Sequence, residues 1–293
     1  MWKLGFAVFA LTAAAAIGGA QTSGARPAAA AKAYVLMAHL GPTAEVPRPK
    51  GAAGGSGTFI ATITITGTRG SLAWKLAFGH LTGSAVAAHV HLAAPGKAGP
   101  VAIPLCGPCT SPAHGTFNGP LGGNKRLLAA LTSGGAYVNV HTKRNPGGEI
   151  RGQLENWLSY EPSAKQANLT LVGALGDVNH GFNFDGYAKG ALTVSIPTGW
   201  KVTVECRNEG AVNHSCAVTK PGPSPVVRPA FSGASSPSPT KGLAKGQSAT
   251  FSFTTGAPAS YRITCLVPGH ELAGMWDNFV VTKSGTPSLS LEP

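Results

Sequence analysis

The sequence predicts an all-β protein built of two β-sandwich domains, on three observations. Gly and Pro number 40 and 23 of 293 residues, a composition that favours short strands joined by tight turns. Long helical periods are absent, while short segments of alternating apolar and polar residues recur along the chain. The series of strand-like segments is interrupted once, over residues 158–166, and leaves two lengths each sufficient for its own core.

The chain opens with MWKLGFAVFALTAAAAIGGAQTSG, in which Lys3 is followed by an apolar run to about Ile17 and by the small residues Gly18 to Ala20. Residues 1–33 read as a secretory signal and an Ala-rich leader, with a second cleavage point before Ala33 and a retained anchor as the alternative. The many small residues of the run make it a poor membrane span, which places the signal reading ahead of the anchor. No Cys lies near it to carry a lipid.

Residues 34–157 form the first expected domain. Strand-like alternation marks Gly57 to Gly67, Ser71 to Gly79, Ala85 to Ala94, Ala136 to Thr142 and Glu149 to Leu154, and Leu127 to Leu131 reads as one helical turn. In AHVHLAAPG, His89 and His91 lie two apart and project from one face of a strand, while Val90 and Leu92 face the core. His141 shares the parity of Asn139 in YVNVHT, and His114 is expected in a loop. Neighbouring strands would bring His89, His91 and His141 together, either as a second metal site or as structural histidines bonded to the turn around Gly147 to Gln153.

The segment 158–166 reads as a linker, residues 167–283 as the second domain and 284–293 as a C-terminal tail. Strands are expected in NLTLVGALG, ALTVSIPTGWKVTVECRN, HSCAVT, ATFSFTT, YRITCLV and NFVVTK. Val202 and Val204 alternate with Thr203 and Glu205, as in a strand with one buried face. Residues 220–246 are rich in Pro, Ser and Gly and are expected to be irregular.

The formal net charge is +12. Residues 34–157 hold ten Lys/Arg against three Asp/Glu, whereas 161–293 hold ten against eight, so the positive field belongs to the first half. The basic residues are scattered over Gly-rich turns without interleaved aromatics, which argues against nucleic acid. A solvated basic face, an acidic protein partner or a negatively charged membrane surface remain.

Five cysteines occur. Cys106 and Cys109 can bridge a turn, and Cys206 and Cys216 can tie the ends of CRNEGAVNHSC; Cys265 is then the odd one. Cys106-Gly-Pro-Cys109 also has the form of a redox dithiol or a metal-binding pair, but Pro and Gly follow it where a helix N-terminus would be needed to lower a thiol pKa. A free thiol in an exported chain is a liability unless something occupies it.

In TCLVPGHELAGMW, Cys265 ends a strand, His270 lies in the loop and Met275 begins the next strand. His214 in NHSCAV also sits where a polar loop meets an apolar strand. Two imidazoles, a thiolate and a weak thioether are the donors of an electron-transfer copper site, with no open position for a substrate. Zinc takes Cys and His as readily, but Met is a poor zinc ligand.

With these residues in place, 166–283 resembles the type-1 blue copper domain of the cupredoxin family, in its sulfocyanin and rusticyanin-like branch. The ligand set, FNFDGYAKGALTVSIPTGWKVTVECRN and PGHELAGMWDNFVV carry the resemblance. It implies a Greek-key cupredoxin fold, one copper on His214, Cys265, His270 and Met275, and electron exchange through His270. Val267, Pro268, Leu272 and Ala273 would form or adjoin the docking patch, and Asn213 would tie the two ligand loops. The first half resembles the CHRD domain through HVH, AYVNVHT and NPGGEIRGQL, a family that implies a fold and no single activity.

The function expected is that of an exported blue copper electron-transfer protein, secreted, periplasmic or at the cell surface. It would serve respiratory redox partners: a cytochrome, a terminal oxidase or another cupredoxin. The alternative is a two-centre copper enzyme acting on oxygen, superoxide or a nitrogen oxide, with its second metal on His89, His91 and His141. Copper storage is disfavoured, because only three Met occur.

Overall fold

The structure is a computed structural model, and it describes residues 31–222 and 228–292. Most of the expected leader, 1–30, lies outside the described residues, but Lys32 and Ala33 belong to the first strand. Among the described residues no helix is long and apolar enough to cross a membrane.

Among the described residues the chain is all-β apart from one short helix and three 3-10 turns. The first half contributes β1 (Lys32–Leu40), β2 (Ser56–Thr66), β3 (Arg69–Gly79), β4 (Ala85–His91), β5 (Val101–Cys106) and β6 (Ala113–Gly119), then α1 (Lys125–Thr132), β7 (Tyr137–Thr142), β8 (Ile150–Gln153) and β9 (Glu155–Glu161). The second half contributes β10 (Gln166–Gly173), β11 (Leu192–Pro197), β12 (Lys201–Asn208), β13 (Ala217–Thr219), β14 (Ser248–Thr254), β15 (Ala259–Thr264), β16 (Trp276–Thr282) and β17 (Ser288–Leu291). The alternation read from sequence sets the faces: Phe59, Ala61 and Ile63 of β2, and Leu72, Trp74 and Leu76 of β3, are buried on one side.

Among the described residues three sheets form two cores. One sheet of eight strands runs in the order β14-β12-β10-β9-β1-β2-β3-β6; the others run β5-β4-β7-β8 and β13-β15-β16-β11-β17. The four-stranded sheet and the β1-β2-β3 end of the long sheet enclose one core, which holds Phe59, Leu72, Val90, Val138 and Ile150. The five-stranded sheet and the β10-β12-β14 end enclose the other, which holds Leu169, Val204, Phe251, Ile263 and Phe279. β1 is a shared wall: Leu36, Ala38 and Leu40 enter the first core, and Ala33, Val35 and Met37 the second.

The segment 158–166 is therefore not a free linker. It is the end of β9, a 3-10 turn at Pro162–Ala164 and the start of β10, and β9 and β10 pair antiparallel within the long sheet. The register of β1 on β9 shifts, pairing Val35 with Leu158 and Leu36 with Asn156, so Trp157 is the extra residue of a β-bulge. Trp157, Leu158 and Tyr160 consequently all enter the second core, which breaks the simple alternation of NWLSYE. The expected tail is also a strand: β17 pairs with β11 and buries Leu289. His114, expected in a loop, lies in β6 opposite Lys75.

Candidate metal centre

The cysteine, histidine and methionine of TCLVPGHELAGMW sit at the open end of the β15-β16 pair. Thr264 pairs with Trp276, and one step further the Cys265 N–H donates to the Met275 carbonyl at 3.2 Å. The ten-residue spacing therefore sets Cys265 and Met275 side by side across two antiparallel strands. The loop between them folds on itself: His270 N–H donates to Val267 O at 3.1 Å, Ala273 N–H to Gly269 O at 3.0 Å and Met275 N–H to His270 O at 2.9 Å. Gly274 has a φ of +93°, and a Cβ there would lie 2.6 Å from Lys189 Cε, so this turn requires glycine.

His214 arrives from a segment about fifty residues away. The Cys206–Cys216 disulfide closes the base of its loop, and Leu243 of the Pro- and Ser-rich excursion clasps it, donating to His214 O at 2.7 Å and accepting from His214 N–H at 3.1 Å. The His214 and His270 Nδ1 atoms are 3.1 Å apart, and the Cys265 Sγ is 3.3 Å from His270 Nδ1. A Cβ added at Gly173 would lie 3.1 Å from His214 Cβ and 3.4 Å from Met275 Cε, so both side chains close on Gly173 and the thioether lies near the His214 side of the cluster.

His214, Cys265 and Met275 are buried, whereas His270 is half-buried and reaches the surface near Leu272, which is 73% exposed. The Phe182 ring stands edge-on to His270, with centroids 4.9 Å apart. Burial, aided by repulsion from His270, pushes His214 down to about 4; burial also lowers His270. Both shifts favour the neutral ring, which has a nitrogen lone pair to offer. Burial raises the Cys265 thiol, against donors from Ser215 and Val267, so a bound cation must displace its proton.

The donors fit a soft-to-borderline metal. Two neutral imidazole nitrogens and one sulfur converge with their donor atoms within 4.8 Å, and the remaining cysteines are closed as Cys106–Cys109 and Cys206–Cys216. Zinc would leave the packed thioether without a role. Copper would have a use for all four groups.

Family comparison separates the same two halves. Residues 36–154 match the CHRD domain model and 154–289 the Sulfocyanin (SoxE) domain model. The C-terminal half is sulfocyanin-like, the N-terminal half CHRD-like. Sulfocyanin of Sulfolobus acidocaldarius is 26% identical over 137 residues, 43% of this chain and 69% of that one. Among solved structures, auracyanin of Roseiflexus castenholzii covers 39% of this chain and 96% of its own at 24% identity and a TM-score of 0.30. Rusticyanin of Thiobacillus ferrooxidans covers 40% and 82% at 21% identity and a TM-score of 0.30.

In the sulfocyanin-like half, Asn213 does not tie the ligand loops together as expected. Its side chain is turned outward and donates to Lys241 O at 3.1 Å, because His214 and Ser215 occupy the inward positions. Ser215 makes the link instead. Its N–H donates to Cys265 Sγ at 3.3 Å, and its Oγ accepts from Leu266 N–H at 2.9 Å. The hydroxyl proton is then free to point at Sγ, 3.7 Å away. Only the adjacency of Ser215 to His214 hinted at this role in the sequence. Ser215→Ala is expected to cost about 1–3 kcal/mol by orphaning the buried Leu266 N–H and to lower the reduction potential by removing a dipole that stabilises the sulfur charge. Thermal unfolding and a redox titration of the copper-loaded chain check the two effects.

In the CHRD-like half, the structure brings His89, His91 and His141 together, with donor atoms within 4.8 Å of one another. The Cys106–Cys109 disulfide leads into β6 and not into a helix, which is consistent with a structural turn.

Proposed function

We propose that the chain is an exported electron carrier that holds one type-1 copper on His214, Cys265, His270 and Met275. The convergence of two neutral imidazoles and the odd cysteine, with a methionine packed beside them, carries this reading. Copper, when bound, supplies a one-electron couple in which thiolate and thioether favour the reduced ion while imidazoles also serve the oxidised one. The chain's own residues hold that donor set still. The β15-β16 pairing fixes Cys265 and Met275, and the disulfide and the Leu243 clasp fix His214.

His270 is the group through which electrons would pass, since it is the ligand candidate that reaches the surface. Around it Val267, Pro268 and the exposed Leu272 form an apolar rim suited to brief contact with a redox protein such as a cytochrome, a terminal oxidase or another cupredoxin. The two disulfides fit an oxidising compartment and so support a secreted, periplasmic or cell-surface location. The alternative two-centre enzyme draws support from the histidine cluster of the CHRD-like half.

Metal analysis with optical and EPR spectra of the copper-loaded chain tests the proposal. An intense visible thiolate band with narrow copper hyperfine splitting is expected. A copper-loaded, oxidised chain without that band would overturn it.

A further inference from the structure

A second donor cluster lies outside the sulfocyanin-like half, on the face of the four-stranded sheet turned away from its core. β4 and β7 are hydrogen-bonded neighbours, with His89 opposite Asn139, His91 opposite Tyr137 and His141 opposite Ala87. Val90, Val138 and Val140 point the other way, into the core. The two-residue period therefore sends all three imidazoles to one side.

Their hydrogen bonds fix which nitrogens are bare. His91 Nδ1 lies 2.9 Å from Gly99 O, and His141 Nδ1 lies 2.9 Å from Pro146 O. A carbonyl only accepts, so each Nδ1 carries the proton and donates it, leaving each Nε2 as a lone pair. This is the arrangement by which backbone carbonyls orient metal-bound imidazoles. His141 Nε2 faces His89 Nδ1 at 3.1 Å.

His91 Nε2 is the decisive atom. His91 is only 8% exposed, and its Nε2 is buried with no hydrogen-bond partner. A buried polar atom left unpaired costs free energy, and a metal at the centre of the three rings would give this lone pair its partner. Tyr137 stacks on the His91 ring with centroids 4.9 Å apart and planes 7° from parallel, and holds it in this orientation. Burial also lowers the pKa of His89 and of His141, in keeping with neutral ligands.

We infer that His89, His91 and His141 form a second metal site, for a borderline divalent ion, Zn(II) or Cu(II). Three imidazoles without a thiolate or thioether suit either ion. His89 is half-exposed, so the fourth position faces solvent and is open to water or to a small anion. The site is separate in its residues from the Cys265 centre and does not depend on that centre's assignment.

The test uses the full chain and Zn(II) as probe. In a variant whose first centre is disabled, Cys265→Ala with His270→Ala, one zinc per chain is expected to survive desalting. Adding His91→Gln and His141→Gln is expected to remove it, and His89→Gln alone, at the half-exposed edge, to weaken zinc binding at least tenfold. Loading with Cu(II) instead should give an ordinary type-2 EPR signal without a thiolate band. On the wild-type background, His91→Gln with His141→Gln should keep the visible band at full height. No retained zinc in the disabled variant, or the same zinc content with and without the histidine replacements, would overturn the inference. The visible band reports on the Cys265 centre and the retained zinc on the three histidines, so failure of the carrier reading and failure of this site are separately visible.

Discussion

Replacing Cys265 by Ser is expected to abolish the intense visible absorption of the copper-loaded chain while leaving the CHRD-like half folded. Among the described residues Cys265 is the free cysteine; the other four are closed in two disulfides. A serine hydroxyl ionises far less readily than a thiol and is a hard donor, so it supplies neither the charge-transfer partner nor the stabilisation of the reduced ion. The cost to the fold is small. Ser is close in size to Cys, and its Oγ can accept from the same Ser215 N–H that now faces Sγ at 3.3 Å. The first core holds none of the four residues of the centre, so its stability is not at stake. Absorption and thermal unfolding of the variant measure both halves of this statement. A surviving band would remove Cys265 from the ligand set.

A fragment restricted to residues 167–283 is expected to fold poorly, although it spans all four ligand candidates. It would lose Ala33, Val35 and Met37 from β1, Trp157, Leu158 and Tyr160 from β9, and Leu289 and Leu291 from β17, all of which pack in or against the second core. Fully burying one large apolar side chain stabilises by about 1.5–3 kcal/mol. Several such losses together match the whole stability of a typical domain, about 5–15 kcal/mol. Removing β9 would also expose the edge of β10, whose partner it is, and invite aggregation. Denaturant unfolding of this fragment beside a chain spanning 31–292 decides the matter. Equal midpoints would mean that β1 and β9 are dispensable to the sulfocyanin-like half.

Much of the candidate site was legible because its signals are local. Cys265, His270 and Met275 lie within eleven residues, and five cysteines leave one unpaired whatever the pairing. The faces of β2, β3 and β12 were legible for the same reason, since a two-residue period needs only the strand itself. β9 was not: its bulge at Trp157 puts consecutive apolar residues into one core, and a segment without alternation resembles a linker. Short β17 was missed because four residues carry too little pattern to stand out from a tail.

An all-β chain in two halves, the residue types of two donor clusters and the parity that sends His89 and His91 to one face all follow from the order of residues. Only the packing of distant strands made β1 serve two cores, set Ser215 and not Asn213 between the two candidate ligand loops, and left His91 Nε2 bare in a buried cluster. The physical reason is range. Which side a residue faces follows from its neighbours along the chain, whereas which atoms meet depends on how distant strands share out the burial of apolar surface and the pairing of backbone polar groups.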